Sequence, residues 1–400
     1  MDILYLGYVC NQELFEDLCK NDSDISIASH KYEMCLMKEL AELRGVSDGA
    51  MRVRVISYLP IKSAGQKARA EELYGFPITY VSCERNSPQG ILRGIYDARK
   101  LIHTWLEETA GKERVVLSYA TNPVLLGAMF SFHHRPPVVT ICSEVPNLRI
   151  MTNGGKWINE IKKAAFNFFN HRMDGYIFMS QHMNALCNKK GRPWIVVEGM
   201  TEIAAGQKTV EGSEKPQPAT IFYAGGLFQE YGIDILLECA AQLEGEGIHF
   251  VLCGDGNAKA MAEAYDRGYS NIHFLGVRKN DEVMEMERRA TLLINPRKPD
   301  NLISRYSFPS KTFEYFSTGT PCIITKLDGI PEEYYQYCYT CDVTNADTLA
   351  NSIRGVLAVP KAERTRKARE ALFFLEEKKS AKAQTRKIVA FLDRVGSAKQ

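Results

Sequence analysis

Short runs of β-branched and aromatic residues recur along all 400 positions, separated by longer stretches whose apolar residues stand three and four apart. Such alternation leaves few folds open: strands joined by helical crossovers line up parallel, with helices on both faces of the sheet. In the first half the pattern predicts strands at Ile3–Val9, Val53–Leu59, Ile78–Cys83, Val115–Tyr119, Val138–Ser143, Tyr176–Met179 and Trp194–Glu198. Helical periodicity falls at Lys31–Arg44, Gly90–Glu108 and Trp157–Arg172. It breaks over Ala204–Ala219 (AAGQKTVEGSEKPQPA), which has almost nothing to bury and is expected to be a linker. A second series follows, with strands expected at Thr220–Ala224, His249–Cys253, Asn271–Leu275, Thr291–Asn295 and Pro321–Thr325. Its helices are expected at Ile233–Leu243, Ala258–Arg267, Asp281–Arg289, Lys311–Ser317 and Ala346–Val356. The expected architecture is two doubly wound α/β domains in tandem, 1–203 and 220–375, joined by the linker 204–219 and followed by a C-terminal helix over 376–400.

Composition narrows the class. With 45% hydrophobic and 24% charged residues this is a folded, globular chain. The longest nearly apolar stretch, Pro123–Phe132, is far short of the roughly 20 residues that span a membrane. The chain opens directly into a predicted strand with no basic, cleavable leader, so a cytoplasmic location is expected. Eleven cysteines, an odd number scattered through apolar runs, fit buried thiols and not a disulfide framework. A net charge of +2 excludes the broad basic field of a nucleic-acid-coating protein. Cations concentrate in the tail, where Lys361–Gln400 carries twelve Lys/Arg against five Asp/Glu, a surplus of +7. Such a tail reads first as a solvated helix face and second as a contact for anionic lipid, at about 1 kcal/mol per well-placed cation.

The stretch from Leu292 to Tyr334, LLINPRKPDNLISRYSFPSKTFEYFSTGTPCIITKLDGIPEEY, carries the chemistry. A buried strand delivers Arg297 and Lys298 to its carboxyl end, the edge at which open α/β sheets bind ligands. Ser310 is the expected N-cap of a short helix that Gly319 and Pro321 stop. Unpaired amides and about half a positive charge at a helix N-terminus suit a phosphate. Lys311 in the first turn opposes the dipole, a conflict that a bound anion would remove. Arg297, Lys298 and Arg305 lie within reach to clamp the same group, and Glu314, one turn deeper, suits the vicinal hydroxyls of a ribose. The plainer alternative is a local Lys311–Glu314 ion pair.

The run SFPSKTFEYFSTGTP, with LLINPR before it and LDGIPEEY after it, resembles the nucleotide-sugar-binding segment of bacterial retaining glycosyltransferases of the GT-B group, in glycosyltransferase family 4. Tyr223–Leu227 with Tyr231-Gly232 resembles that family's first donor-domain strand and glycine turn. Phe250–Gly256 (FVLCGDG) and His273–Gly276 (HFLG) resemble its next two strand ends, and Lys378–Leu392 its closing helix. The resemblance implies two Rossmann-like domains with a cleft between them and a C-terminal helix crossing back to the N-terminal domain. It implies a nucleoside-diphosphate sugar as donor in the C-terminal domain, a hydroxyl acceptor in the N-terminal one, retention of configuration, and no metal or other cofactor. Carried over by motif, Ser310 and Lys311 hold the diphosphate, Glu314 the ribose, and Val277 and Arg278 the base. Gly225, Gly226 and Gly254 shape the donor turns, while Arg305 and Ser307 border the site from the preceding loop. The sequence departs from the family pattern where Tyr306 replaces the first glutamate of the usual E-x7-E. It departs again where Gly226 and Tyr231 replace the usual basic pair, which makes Arg297 the first candidate for a catalytic cation beside Lys311. On the acceptor side Glu144, ending VVTICSE, is the candidate base, and Gly7, Tyr8 and His30 are candidate acceptor contacts.

Other signals carry less. Gly254-Asp255-Gly256 lacks the third glycine of a dinucleotide fingerprint, Cys338–Cys341 is a lone CxxC, and neither a G-x-S-x-G nor a P-loop motif is present. In Trp157–Arg172, Trp157, Ile158, Ile161, Ala165, Phe168 and Phe169 are expected on one face. That face either packs on the sheet or dips into a bilayer interface, as a lipid-linked sugar acceptor would require. A glycan is the alternative acceptor. The function expected is a glycosyltransferase of bacterial cell-surface polysaccharide assembly. A nucleotide-sugar epimerase on the same scaffold and a non-catalytic binding subunit are the competing readings.

Overall fold

A computed structural model describes residues 1–21, 26–46, 51–61, 71–84, 87–143, 156–200, 218–300 and 302–398 of the protein. The expected linker therefore lies almost wholly outside the described residues, and Glu144 lies outside them too. The chain divides into two compact units, residues 1–200 with 381–400, and residues 201–380.

The first unit is built on β1 (Asp2–Gly7), β2 (Arg52–Ile61), β3 (Glu71–Leu73), β4 (Phe76–Glu84), β5 (Arg114–Tyr119), β6 (Val138–Cys142), β7 (Gly175–Phe178) and β8 (Trp194–Val196). They lie in the order β3-β4-β2-β1-β5-β6-β7-β8. All pairings are parallel except β3 with β4. Helices on both faces of a parallel sheet make its central strands apolar throughout, and β1 (DILYLG) is buried at every position. The seven strands read from the pattern are all present. The unexpected eighth, β3, is three residues of EEL with no apolar alternation, folded back on β4 through Tyr74 and Gly75 at positive φ.

Among the described residues of the first unit, three helices escape the periodicity: Gln12–Asn21, Pro123–Met129 and His182–Cys187. The second is nearly all apolar and buried almost throughout, so it has no polar face to reveal a period. The Lys156–Asn170 helix corrects the expected face. Phe166 and Phe169 are buried, while Phe168 is 49% exposed with the Arg172 guanidinium 3.5 Å from its ring centre. Adjacent residues on a helix point about 100° apart, so Phe168 and Phe169 cannot share one narrow face. The side chains of Trp157, Ile158 and Ile161 lie outside the described set. No helix among the described residues is long and apolar enough to cross a membrane.

The expected C-terminal helix is interrupted. Lys361–Phe374 runs into a π turn, Leu375–Lys379, and a new helix, Ala381–Ser397, follows Ser380. This last helix completes the first unit. It buries Ile388, Phe391, Leu392 and Val395, and Gln384 donates to the buried Glu198 at 3.1 Å.

The second unit is built on β9 (Ala219–Gly226), β10 (Ile248–Asp255), β11 (Ile272–Phe274), β12 (Leu292–Asn295), β13 (Cys322–Thr325) and β14 (Tyr339–Cys341). Their order is β11-β10-β9-β12-β13-β14, parallel throughout. One core, with Leu236, Leu237, Leu349 and Ile353, lies on one face; another, with Phe313, Phe316, Tyr334 and Phe374, lies on the other. The chain leaves β9 toward β10 and returns on its other side at β12. That reversal opens a crevice at the carboxyl ends of β9 and β12. In the first unit the same reversal falls between β1 and β5.

Candidate functional site

Several residues the sequence singled out, Gly225, Gly226, Arg297 and Lys311, come from the segments at the β9–β12 crevice. Gly225 and Gly226 end β9. A side chain at Gly225 would press on the Tyr223 phenol and come within 3.6 Å of Lys311 Cε, so the lysine's alkyl chain runs close over the glycine. Tyr223 Oη donates to the Gly226 carbonyl at 2.8 Å and stiffens the turn. Gly232 takes φ 75°, and any side chain there would overlap the Pro296 carbonyl. This close approach seats the loop after β12 against the glycine turn. Arg297, next along, lies with its guanidinium carbon 4.5 Å from the centre of the Tyr231 ring. Its Nε is buried with no hydrogen-bond partner among the described residues, and burial lowers its pKa. A buried, unpaired guanidinium donor calls for an anion. Tyr231 thus supports, through its ring face, a cation from the loop that follows β12.

The second cation comes from the Lys311–Thr318 helix. Tyr315 anchors it under the same crevice by donating to the Ile294 carbonyl at 2.9 Å, and Phe313 and Phe316 sink into the core. Gly319 at φ 66° ends it. Ser310 does not cap it as expected. Its backbone is already helical, at φ −55° and ψ −28°, and its side chain makes no capping bond. An N-cap must be extended to reach back to the helix amides, and here the Pro309 carbonyl accepts from Thr312 instead, at 3.0 Å. The amides of Ser310 and Lys311 have no acceptor among the described residues, as a helix N-terminus leaves them.

Lys311 Nζ bonds the Glu314 carboxylate, the local pair its spacing allows. It also lies 3.9 Å from Oε1 of Glu287, a carboxylate from the Asn280–Arg289 helix that is only 1% exposed. Burial pushes Glu287 up to about 7, with Lys311 opposing and Glu314 adding to the shift. Sequence reasoning missed Glu287, although a signal existed: it shares a helix face with Val283 and Ala290, an acid on an apolar stripe.

Gly254 closes the floor of the crevice at φ 140°, where a side chain would strike the Gly225 carbonyl. Val277 and Arg278 follow Gly276 on an exposed turn, and Val277 is 71% exposed. Arg278 and Lys311 both act on the buried Cys253 thiol, which burial raises to about 11 while the two cations lower it. The remaining loop cations are engaged elsewhere. Lys298 pairs with Asp234 at 2.8 Å, and Arg305 lies 3.4 Å from Asp328 on the surface. Tyr306 ends the short Leu302–Tyr306 helix, and Gly329 packs against the carbonyls of Ser304 and Ser307.

In the first unit the carboxyl end of β1 rests on Glu33, a fully buried residue of the Ile27–Val46 helix. Its Oε2 accepts from Tyr5 Oη at 2.8 Å and from the Tyr8 amide at 2.9 Å, and a side chain at Gly7 would overlap it. Burial pushes this carboxyl up to about 7 against both hydrogen bonds. The Tyr8 phenol accepts from Asn122, which caps the Pro123–Met129 helix beyond β5, so both sides of the β1–β5 reversal are tied together. His30 is stacked on Phe15 with ring centres 3.7 Å apart, and burial lowers it to about 4, which keeps the ring neutral.

Comparison with known proteins bears on the fold and on the second unit. Residues 218–358 match the family described as glycosyl transferases group 1. WcaI of Escherichia coli, named for glycosyl transfer in colanic acid biosynthesis, is 24% identical over 150 residues, 35% of this chain. The matched region spans 36% of that relative's length. Among solved structures, sucrose-phosphate synthase from Thermosynechococcus elongatus superposes at TM-score 0.64 with 12% identity, covering 100% of both chains. HepE of Anabaena, solved in complex with UDP, superposes at TM-score 0.63 with 17% identity, covering 98% of this chain and 100% of its own. Residues 218–358 are therefore similar to a group 1 glycosyltransferase domain, and the chain has the two-domain, Rossmann-like GT-B fold.

Proposed function

We propose that the chain is a retaining glycosyltransferase that moves a sugar from a nucleoside-diphosphate sugar to a hydroxyl acceptor, a glycan or lipid-linked sugar, in assembling a bacterial cell-surface polysaccharide. One observation carries this reading. Lys311, the Ser310 and Lys311 amides and the Arg297 guanidinium, whose buried Nε has no partner among the described residues, come from the segments at the β9–β12 crevice, where the lysine runs close over Gly225. As the bond from the anomeric carbon to the diphosphate breaks, negative charge collects on the leaving group. Fixed cations and helix amides stabilise that charge in place of a metal ion. Glu314, released from Lys311 by the incoming anion, is then able to accept two ribose hydroxyls. The UDP in HepE and the polysaccharide pathway named for WcaI support the same assignment. The acceptor is assigned to the β1–β5 reversal, with Gly7 and Tyr8 at its edge and Glu144 as proton acceptor, whereas His30 is buried against Phe15 and is withdrawn as an acceptor contact.

A thermal-shift screen with UDP, GDP, ADP and CMP tests the donor site. The matching nucleotide at about 100 times its Kd stabilises by about 2.7 kcal/mol. Lys311→Ala and Arg297→Ala each remove a charge-assisted bond of about 1.5–3 kcal/mol, so each should weaken binding roughly 10- to 100-fold. If no nucleotide raises Tm, the donor assignment fails. Retention is read from the anomeric configuration of the product by NMR.

A further inference from the structure

Glu287 has no role in the scheme above, yet it faces the lysine on which that scheme depends. Its Oε1 lies 3.9 Å from Lys311 Nζ and accepts no hydrogen bond among the described residues. Lys311 is bonded to Glu314 instead, so one ammonium serves a buried carboxylate and a 42% exposed one. We propose that Glu287 is a positioning residue for the donor: its carboxylate holds the Lys311 side chain over Gly225, and it takes up a proton from solvent when the ammonium turns to the donor's diphosphate. The inference rests on the donor-site reading and adds to it a proton that travels with the ligand.

The groups facing Glu287 account for this behaviour. Lys311, Glu314 and the fully buried Tyr315 face it from the Lys311–Thr318 helix, Cys253 from β10, and Arg288 from its own helix. Lys311 and Arg288 are the cations that favour the charged form, whereas burial and Glu314 oppose it. A diphosphate that draws Lys311 away removes the nearer cation and adds negative charge. Both changes favour the neutral carboxyl. Its neutralisation in turn removes the repulsion between a buried carboxylate and the incoming anion.

The nucleotide that succeeds in the thermal-shift screen, UDP first, is titrated calorimetrically at about pH 8 in two buffers of different ionisation enthalpy. A net uptake approaching about one proton per site is expected for the unmodified protein, and none for Glu287→Gln. Affinity should fall up to about tenfold per pH unit between about pH 7 and 9, and stay flat in Glu287→Gln. A terminal phosphate titrates near about 6 and loses a proton when it binds to cations, so its contribution has the opposite sign. The uptake in the unmodified protein needs no variant, which keeps the test valid should Glu287→Gln fold poorly. Binding without proton uptake, or with equal uptake in Glu287→Gln, overturns the role of Glu287 and leaves the donor site standing. No nucleotide binding at all overturns both.

Discussion

A cation in the first turn of a helix opposes the backbone dipole, and Lys311 stands there beside two carboxylates. The lysine and Glu314 were legible because helix spacing brings them together locally. Glu287 was not, because its meeting with Lys311 depends on how two helices pack. Arg297 was legible as a cation at a strand end, but its seat on Tyr231 depends on Gly232 admitting the Pro296 carbonyl. Gly232→Val therefore combines a left-handed backbone cost of about 1–2 kcal/mol with a steric clash that displaces the Arg297 loop. The expected result is a lower Tm and nucleotide binding weakened at least about tenfold by calorimetry. Unchanged affinity would mean that Arg297 does not contact the ligand.

Among the elements, the strands were the most legible, since buried parallel strands announce themselves as unbroken apolar runs. The short Pro123–Met129 helix, which has no polar face, was not, and Ser310 misled because a good capping residue had already entered the helix. The helix Ile27–Val46 shows what an element adds beyond its own sequence. It carries Glu33 under the carboxyl end of β1, where the buried carboxyl holds the Gly7–Tyr8 turn. This group's pKa is raised in the folded protein from 4.5 to about 7. Its neutral form costs nothing below the unfolded value, and stability is lost as pH rises through about 7 and the carboxyl must ionise while buried. Glu33→Gln keeps the accepting oxygen without the charge. Its Tm should match the unmodified protein near about pH 4 and exceed it at about pH 8, by roughly 1–3 kcal/mol in stability. A pH-independent difference would sink this account.

At the scale of the molecule, the two units are separable in sequence except for the last helix, which returns to complete the first. Phe391 is 2% exposed and packs against Gly175 on β7, where a side chain would approach its ring to 3.2 Å. Phe391→Ala should cost about 3–5 kcal/mol, the usual range for a large buried aromatic. Hydrogen exchange should quicken in peptides of β5 and β7 and stay unchanged in β9 to β13. Equal loosening of both units would contradict the assignment of that helix. What the amino-acid order determined alone is everything carried by local periodicity and local charge: the alternation of strand and helix, the two series, and the SKTFE turn with a lysine and a glutamate one helical turn apart. Strand order, and with it the two crevices, came only from the tertiary structure, because which strands pair depends on contacts between distant segments. The same holds for the burial that shifts Glu33 and Glu287, since desolvation is set by neighbours that the chain brings together only on folding.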